Sequence, residues 1–401
     1  MSPMVYPHTL NLYEKPMAGN GFRERFKVYN YRHRINSVGW FDTASCDIVP
    51  RSQASPERFI DQFLGNRIAI YVDNPAEPVW EGFINRMTFN VGLVALTFSL
   101  DEMMNQVNVK YMPLGGTLTT VTPTATSRAL ASQAVYGIKA GTLDVGYIRS
   151  AGTRVATIAS TKLEQLAWPQ QSSTDRSSAK PGVIHLEMLG FYHTLKWQER
   201  NLTTTNVLSL TNVLMNATLG MLPLLANGTT FFDNTDFTQL ATNAVTMALD
   251  EYRGKTFWDV MVEVQETGDA SQNYYTIGVT PTDFMTGKRR LFYQIANSAI
   301  AYTARRRDGL RVRDLYGRLV APWRVKPDRG IRISDWLVGG AISGDDPRET
   351  YIMNVEYDAN LQQVIWTGDD ALNGEAAFQL HRNTKPFGKR FGAVPYRTST
   401  A

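Results

Sequence analysis

Apolar and polar residues alternate most regularly between Asn66 and Tyr111, where RIAIYVD, VWEGFINRM and LVALTFSLDEMMNQVNVKY follow one another. Val94, Leu96, Phe98 and Leu100 alternate with Ala95, Thr97 and Ser99, the period of two that a half-buried strand imposes. A strand holding Trp80 and Ile84 precedes them across a turn containing Asn90 and Gly92, so the pair predicts a hairpin with one buried face. The region from about Leu10 to Tyr111 reads as an antiparallel β unit. One compact helix interrupts it, starting with Pro56 after Ser55, carrying Phe59, Ile60 and Phe63, and ending at Gly65.

Beyond Tyr111 the periodicity changes. Residues 112–126 turn to Pro, Gly and Thr (PLGGTLTTVTPTAT), which predicts a connecting arm with little to bury and hence a boundary. From Thr153 to Ala167, Val155, Ile158, Ala159, Leu163 and Leu166 recur at helical spacing until Trp168 and Pro169 stop them. The polar run QQSSTDRSSAKPG reads as exposed and unstructured, and HLEMLGFYHTLKW then resumes strand alternation and opens a second module. Asn212 to Leu225 and Gln239 to Asp250 read as helices, and Thr256 with Asp259 has capping-box spacing for another that runs to about Gln265. Strands return from Tyr274 to about Asp369 and close on the hairpin YIMNVEYDANLQQVIWTG, which echoes the layout of the first module's closing hairpin. From Asn383 onward, Pro, Gly and basic residues leave too little apolar surface for a core; this is either a disordered tail or a segment that docks on a neighbour.

The expected organisation is mainly β with α insertions, an α+β chain in five parts. These are a first β module over 1–111, a linker arm and small helix-containing domain over 112–184, a mixed α/β insertion over 185–273, a second β module over 274–382 and a tail over 383–401.

Composition bounds this picture. At 401 residues, 43% of them apolar and 11% aromatic, the chain can build cores for two to four domains. No run approaches the ~18–20 apolar residues that a membrane-spanning helix needs, and MSPMVYPHTLNLYEKP lacks the order of a secretion signal, which predicts at least initial residence in the cytoplasm. The single cysteine, Cys46, excludes an internal disulfide and a multi-cysteine zinc site, and its place in the alternating TASCDIV reads as a small buried side chain.

Charge is unevenly laid down. Lys288 to Arg332 holds thirteen Lys or Arg against Asp308, Asp314 and Asp328, a balance of +10 in a chain whose whole charge is +4. Asp233 to Asp269 reverses the sign, with eight acidic residues against Arg253 and Lys255. Opposite blocks in one chain suit complementarity between subunits, which guides register more than it adds affinity. The densest cluster is Arg305, Arg306 and Arg307 with Arg311 and Arg313. Clustered guanidinium groups give salt-dependent affinity for nucleic acid. Arg311, Arg313 and, across a turn, Arg318 also alternate around Val312, as on one charged face of a strand. An interface or solvated face is the favoured reading, and Lys385, Lys389 and Arg390 of the tail join the cluster as candidate interface residues.

Enzymatic patterns are missing from the sequence: there is no G-x-S-x-G, H-E-x-x-H, Walker loop or G-x-G-x-x-G. The five histidines, His8, His33, His185, His193 and His381, are dispersed. On one strand His185 and His193 would lie about 26 Å apart, too far to share a metal. Nothing around Cys46 suggests a lowered thiol pKa. Asp345 with Asp346, and Asp369 with Asp370, follow glycines and read as solvated turn residues. No catalytic, cofactor-binding or metal-binding residue is assigned, and a non-enzymatic protein without a cofactor is expected.

The succession of VWEGFINRM, a hairpin, SLDEMMNQVNVKY, ASQAVYGIKAG, a helix ending in LAWP and then HLEMLGFYHTLKW resembles the tail hub or baseplate hub proteins of tailed bacteriophages. The stretch IAYTARRRDGLRVRDLYGRLVAPWRVKPDRGIRISDW resembles their last β domain, and the resemblance covers roughly Leu10 to Asp369. It implies two tail-tube-like antiparallel β-barrels flanking a helix-containing middle region, with three copies building a ring that matches a hexameric tail tube. It also implies a place at the distal tail tip of a virion assembled in the host cytoplasm. The implied partners are two further copies of the chain, tail tube or distal tail proteins, a central fibre or spike, and genomic DNA that passes without sequence-specific binding. The Pro/Thr arm after Tyr111, the arginine cluster and the tail are the candidate interface elements. No appended lysozyme or peptidase segment follows the second β module. Two alternatives stay open. One is a receptor- or carbohydrate-binding tail-tip protein, if several of the eight tryptophans line one exposed groove. The other is a cell-wall hydrolase that uses Cys46.

Overall fold

A strand buries only every second residue, so the alternation noted above fixes which face each strand turns to a core. The computed structural model describes residues 8–17, 21–49, 63–72, 77–91, 94–113, 119–121, 128–150, 152–175, 182–199, 206–222, 231–232, 237–249, 255–271, 273–283, 289–305, 310–334, 336–338, 341–343, 348–369 and 394–398. Its strands begin with β1 (Thr9–Tyr13), β2 (Phe22–Asn36), β3 (Trp40–Ile48), β4 (Arg67–Tyr71), β5 (Trp80–Val91) and β6 (Val94–Ser99). They continue with β7 (Gln106–Pro113), β8 (Thr119–Val121), β9 (Ala140–Ser150), β10 (Gln170–Asp175), β11 (Ile184–Leu189), β12 (Val207–Ser209), β13 (Thr246–Ala248), β14 (Tyr275–Val279) and β15 (Leu291–Ile295). The last are β16 (Ile300–Arg305), β17 (Arg313–Asp314), β18 (Arg329–Ser334), β19 (Trp336–Val338), β20 (Ala341–Ser343), β21 (Arg348–Asp358), β22 (Gln363–Asp369) and β23 (Val394–Thr398). The helices whose bounds fall among the described residues are α1 (Leu130–Tyr136), α2 (Gly152–Leu166), α3 (Leu210–Met215) and α4 (Phe257–Thr267).

Six strands close into an antiparallel barrel in the order β1–β4–β5–β11–β3–β2 and back to β1. Register sets Leu10 beside Phe26 and Ile70, and Ile70 beside Trp80. With Cys46, Ile48, Leu186 and Met188 they fill one buried cluster, so the barrel is a packed core and not a pore. Backbone and ring crowd the barrel wall at Gly82. A Cβ there would stand 2.2 Å from the Leu189 carbonyl oxygen and 2.4 Å from the Trp80 ring.

The sixth stave, β11, is the strand that the sequence placed at the opening of a second module. Nothing local announces its role, because its partners β3 and β5 lie far away along the chain. HLEMLGFYHTLKW is also not one strand throughout: Phe191–Trp197 winds into a 3-10 turn after Gly190.

The last β region forms a sheet in the order β17–β16–β18–β21–β22–β23, with its own core of Val312, Val325, Ile331, Ile333, Val355 and Trp366. Two closed barrels were expected. Among the described residues one barrel closes; in the second region β17 and β23 stand at opposite ends of the sheet and do not pair with each other. It is joined to the barrel edge-on, because Arg32 to Asn36 of β2 pair antiparallel with Asn354 to Asp358 of β21. The two ends of the chain thus share one sheet of 14 strands. A three-stranded sheet, β8–β7–β9, packs Val107 and Val109 against Val155, Ala159 and Leu163 of α2.

Several local expectations hold. The hairpins β5–β6 and β21–β22, helix α2, and the Thr256/Asp259 capping box at the start of α4 are all present. Others give way to side-chain and edge chemistry. Gln239 to Ala248 runs from a turn through irregular backbone into β13 and is not a helix, because buried Asn243 bonds Gly268 O and Tyr293 Oη while its own Oδ1 takes the Val245 N–H. The helix expected from Asn212 shortens to α3, stopped where Asn216 Oδ1 takes the N–H groups of Thr218 and Leu219. Polar Gln170–Asp175 is strand β10, since the open edge of β6 offers it a full ladder of backbone bonds. Thr119–Val121 of the expected arm is a strand on β7, and Val394–Thr398 of the expected tail is a strand on β22. The helix expected at Pro56 lies outside the described residues up to residue 62.

Replacing Gly82 by Ala forces its methyl group into the Leu189 carbonyl and the Trp80 ring. We expect a loss of roughly 1–3 kcal/mol in urea unfolding, and unchanged stability would show that the closure of β5 on β11 is looser than described.

Candidate functional site

Register carries polar residues into line across the outer face of the sheet. Arg86 faces Glu187, Glu187 faces Ser45, Ser45 faces Arg32, Arg32 faces Asp358, and Asp358 faces Gln363, so one row runs from the barrel into the second sheet. A groove of about 640 Å3 lies along it, lined by Arg32, Arg34, His185, Glu187, Glu356, Asp358 and the apolar Leu361 among others. Its charges are matched. Arg32 Nε lies 2.8 Å from Asp358 Oδ2, Arg34 Nη1 3.7 Å from Glu356 Oε1, and Arg86 Nη1 3.2 Å from Glu187 Oε2. A face on which neighbouring strands carry opposite charges offers no single sign of potential to a polyanion. Such exposed pairs contribute little to stability, but like charges there would repel.

Beside the groove, Asp42 of β3 gathers three partners. Its Oδ1 takes the Tyr192 hydroxyl at 2.5 Å and lies 2.9 Å from His193 Nε2, and Arg34 Nε stands 3.6 Å from Oδ2. Burial alone would raise the Asp42 pKa, but the bonds from His193 and Tyr192 outweigh it and hold it at about 2. Burial lowers the His193 pKa against the pull of Asp42. This carboxylate is a clamp that ties β3 to the 3-10 turn, and it is too well held to act as a base. His185 sits apart on β11, 2.7 Å from Asp47.

A second charged group lies inside, where the barrel meets the middle region. Glu81 of β5 is 2% exposed and faces two cations, Arg67 Nε at 3.1 Å and Arg289 Nε at 3.4 Å, of which Arg289 is 1% exposed. Thr282 donates its backbone N–H to Glu81 Oε2 at 3.0 Å and its hydroxyl to Oε1. Arg289 stacks on Phe191 at 3.4 Å from the ring centre and donates to the Phe231 carbonyl, and Arg67 stacks on Tyr13 at 4.1 Å. Burial pulls the Arg289 guanidinium down to about 9, with Glu81 opposing. Glu81 therefore holds two buried cations with one carboxylate.

A third group fills the seam between barrel and second sheet. His8, Tyr31, His33, Trp323 and Tyr357 meet ring to ring at 5.2 to 6.4 Å. His33 Nδ1 and Tyr31 Oη share a 2.9 Å hydrogen bond, as do Tyr357 Oη and His8 Nε2 at 3.1 Å. Burial, with His8 nearby, lowers the His33 pKa to about 3. The imidazole is neutral at physiological pH.

Of the residues singled out in the sequence, Arg305 ends β16, exposed, and Arg311 and Arg313 start the next stretch beside it, with Thr303 facing Arg313. Arg306, Arg307, Lys385, Lys389 and Arg390 lie outside the described residues. Cys46 is fully buried in the barrel, and burial pushes its thiol pKa far up, which leaves it unsuited to nucleophilic attack. Trp80, Trp258, Trp323 and Trp366 are buried, Trp40 and Trp197 half-buried and Trp168 exposed, so these seven do not line one exposed groove. Among the described residues no group of three or more metal-ligating side chains comes together. No helix among them is long and apolar enough to cross a membrane. Sequence reasoning missed Asp42, Glu81 and Arg289. The signal for Glu81 was a lone charge in the apolar strand VWEGF; Arg289 was hidden in a basic run.

No family model and no curated protein matches the chain. Among solved structures, it is similar to a chain of one titled "Structure of PdpA-VgrG Complex, Lidless", with 8% identity over 90% of this chain and 54% of that one and a TM-score of 0.28. The chain spans about half the length of that neighbour, and so loose a superposition carries no argument about fold or function.

Replacing Glu81 by Gln leaves Arg67 and Arg289 buried without a counter-charge; we expect a loss of about 3–5 kcal/mol in chemical denaturation. Arg289→Met, which keeps the Arg67–Glu81 pair, should cost less, and the reverse order would refute Glu81 as the hub of the cluster.

The folded-state pKa of His33 lies below its unfolded value near 6.5, so the unfolded chain binds the extra proton. Stability from this group is intact above pH 6.5 and falls as the pH drops toward 3, by an amount on the order of 5 kcal/mol. In His33→Asn the stability-versus-pH slope between these limits should flatten; an unchanged slope would remove His33 as its source.

Proposed function

We propose that the chain is a structural part of a phage-tail-like particle, the hub at the distal end of a tail tube. In this reading three copies form a ring that adapts the tube to a central fibre or spike and lets DNA pass. The observation that carries it is the edge-on fusion of a side-chain-filled barrel with a second sheet through β2 and β21, which makes one rigid 14-strand body from the two ends of the chain. A body of this kind suits tiling, because its shape is set by backbone hydrogen bonds and not by flexible linkers. The resemblance of its sequence to phage hub proteins supports a place at the tail tip. The hydrolase alternative needs a reactive Cys46, which the barrel encloses. The carbohydrate-binding alternative needs an aromatic groove, and the groove along the outer row is lined by charged, polar and aliphatic side chains, with no tryptophan and Tyr357 as its one tyrosine.

Gold-labelled antibody against the protein, applied to purified particles, should mark one end of the tail. Label on the head, along the whole tail, or absent from intact and disrupted particles alike would reject the placement.

A further inference from the structure

The second sheet carries a projection that packing does not explain. Residues 312–320 form a hairpin whose stem is anchored by Val312, 4% exposed, with Val320 beside it. Its tip is built rigidly. Asp314 Oδ1 takes the N–H groups of Tyr316 and Arg318 at 2.9 Å, Asp314 Oδ2 takes Arg318 Nε at 2.7 Å, and Arg313 Nη1 donates to the Gly317 carbonyl. The Gly317 N–H closes on Asp314 O, and Gly317 has φ +80°, the left-handed conformation that glycine adopts without strain. On this frame Leu315 is 62% exposed, Tyr316 85% and Leu319 57%. Turn positions have no structural need of apolar side chains. Here three stand in water on a tip that loses little further entropy when something covers it.

We propose that this tip docks on the outer face of α4 in a second copy of the chain. The occupant is argued from charge. The tip and its stem carry Arg311, Arg313 and Arg318 against Asp314, and α4 carries Asp259, Glu263 and Glu266 with no Lys or Arg. On α4, Asp259 and Glu266 are exposed, with Val262 one turn from each on the same side. Leu315 and Tyr316 would cover Val262, while Arg311 and Arg318 approach the two carboxylates. Tip and helix are different surfaces, so the contact is head-to-tail and each copy offers one of each, as a closed ring requires. The inference rests on the ring reading above only for its choice of a second copy as occupant.

The test uses two full-length variants, Leu315→Ser/Tyr316→Ser, which disables the tip, and Glu266→Lys, which disables the helix face. The parent should self-associate in sedimentation velocity at about 0.05 M salt and dissociate at about 0.5 M, where screening is much stronger. Each variant alone should associate at least about tenfold more weakly. Their mixture should form a one-to-one dimer and nothing larger, because one intact tip meets one intact helix. Circular dichroism of each variant guards against misfolding, and any that fails is replaced by Tyr316→Ser or Glu266→Gln. A parent that stays monomeric, variants that assemble like the parent, or a mixture without the dimer would overturn the contact. So would retained self-association with tip-dependent binding to anionic vesicles or single-stranded DNA. Particle labelling is read separately, so loss of this contact with label still at the tail end leaves the functional reading standing.

Discussion

The structure depends on the place where β2 changes partners. Residues Phe22 to Lys27 of this 15-residue strand pair with β1, and Arg32 to Asn36 pair with β21, while β3 covers the opposite edge. β21 mirrors this, giving Arg348 to Ile352 to β18 and Asn354 to Asp358 to β2, with β22 along its other edge. Each backbone N–H and C=O must be paired when water is excluded, so a strand that leaves one partner has to meet another. The barrel and the second sheet therefore cannot separate without orphaning the ladder between β2 and β21. The change of partner falls at an irregularity. The β2–β3 register shifts between Tyr29 and Arg32, and Asn30 there has φ 53°. Asn tolerates that conformation better than most residues, and its side chain is held by Asp47 and Asn360.

What fills the seam follows from that geometry. Tyr31 and His33 turn inward from β2, Tyr357 from β21, and His8 and Trp323 complete the packing. Aromatic and imidazole rings suit a junction where two cores meet at an angle, because flat groups fill irregular space and their polar atoms bond one another. The same arrangement exposes the seam to acid, since a charge on buried His33 would have no compensating anion among the groups that bond it. Glu81 plays a related part at the other junction, between barrel and middle region, where its carboxylate is shared by strands β4 and β5 and by Arg289 and Thr282 beyond them. Buried charges satisfied only in one arrangement define how parts sit together more than they add to stability.

Local patterns were legible where the force behind them is local. The alternation of Val94 to Leu100, the helical spacing of Val155 to Leu166 and the Thr256/Asp259 box all correspond to elements present, since each depends on neighbours a few residues away. Partnerships across the chain were not legible. Ile184–Leu189 reads as a strand in any context, but only β3 and β5 make it a stave. Gln170–Asp175 has no apolar residue to betray a strand; the open edge of β6 decides its conformation. Gln239 to Asp250 has helix-compatible composition, and the tertiary bonds of Asn243 override it. The charged groups of the candidate sites were the least legible. Asp42 and Glu81 look like ordinary strand acids until Tyr192, His193, Arg67 and Arg289 converge on them from other segments.

The outer polar row and the inner ring cluster together explain why the seam exists in one register. Along β2, Arg32 and Arg34 face out toward Asp358 and Glu356, while Tyr31, His33 and Ile35 face in. A slip of one residue would turn both arginines into the seam, where burying an unpaired charge costs several kcal/mol, and would leave the rings in water. A slip of two would preserve the faces but set Arg32 against Glu356, leave Asp358 without a cation opposite it and part Asn30 from Asn360. Inner packing thus forbids odd shifts, and the outer charge pattern with the Asn30–Asn360 contact favours the native register over even ones. For the ring proposed above this matters directly, because an error in the angle between the two sheets would be repeated in every copy and would keep the ring from closing.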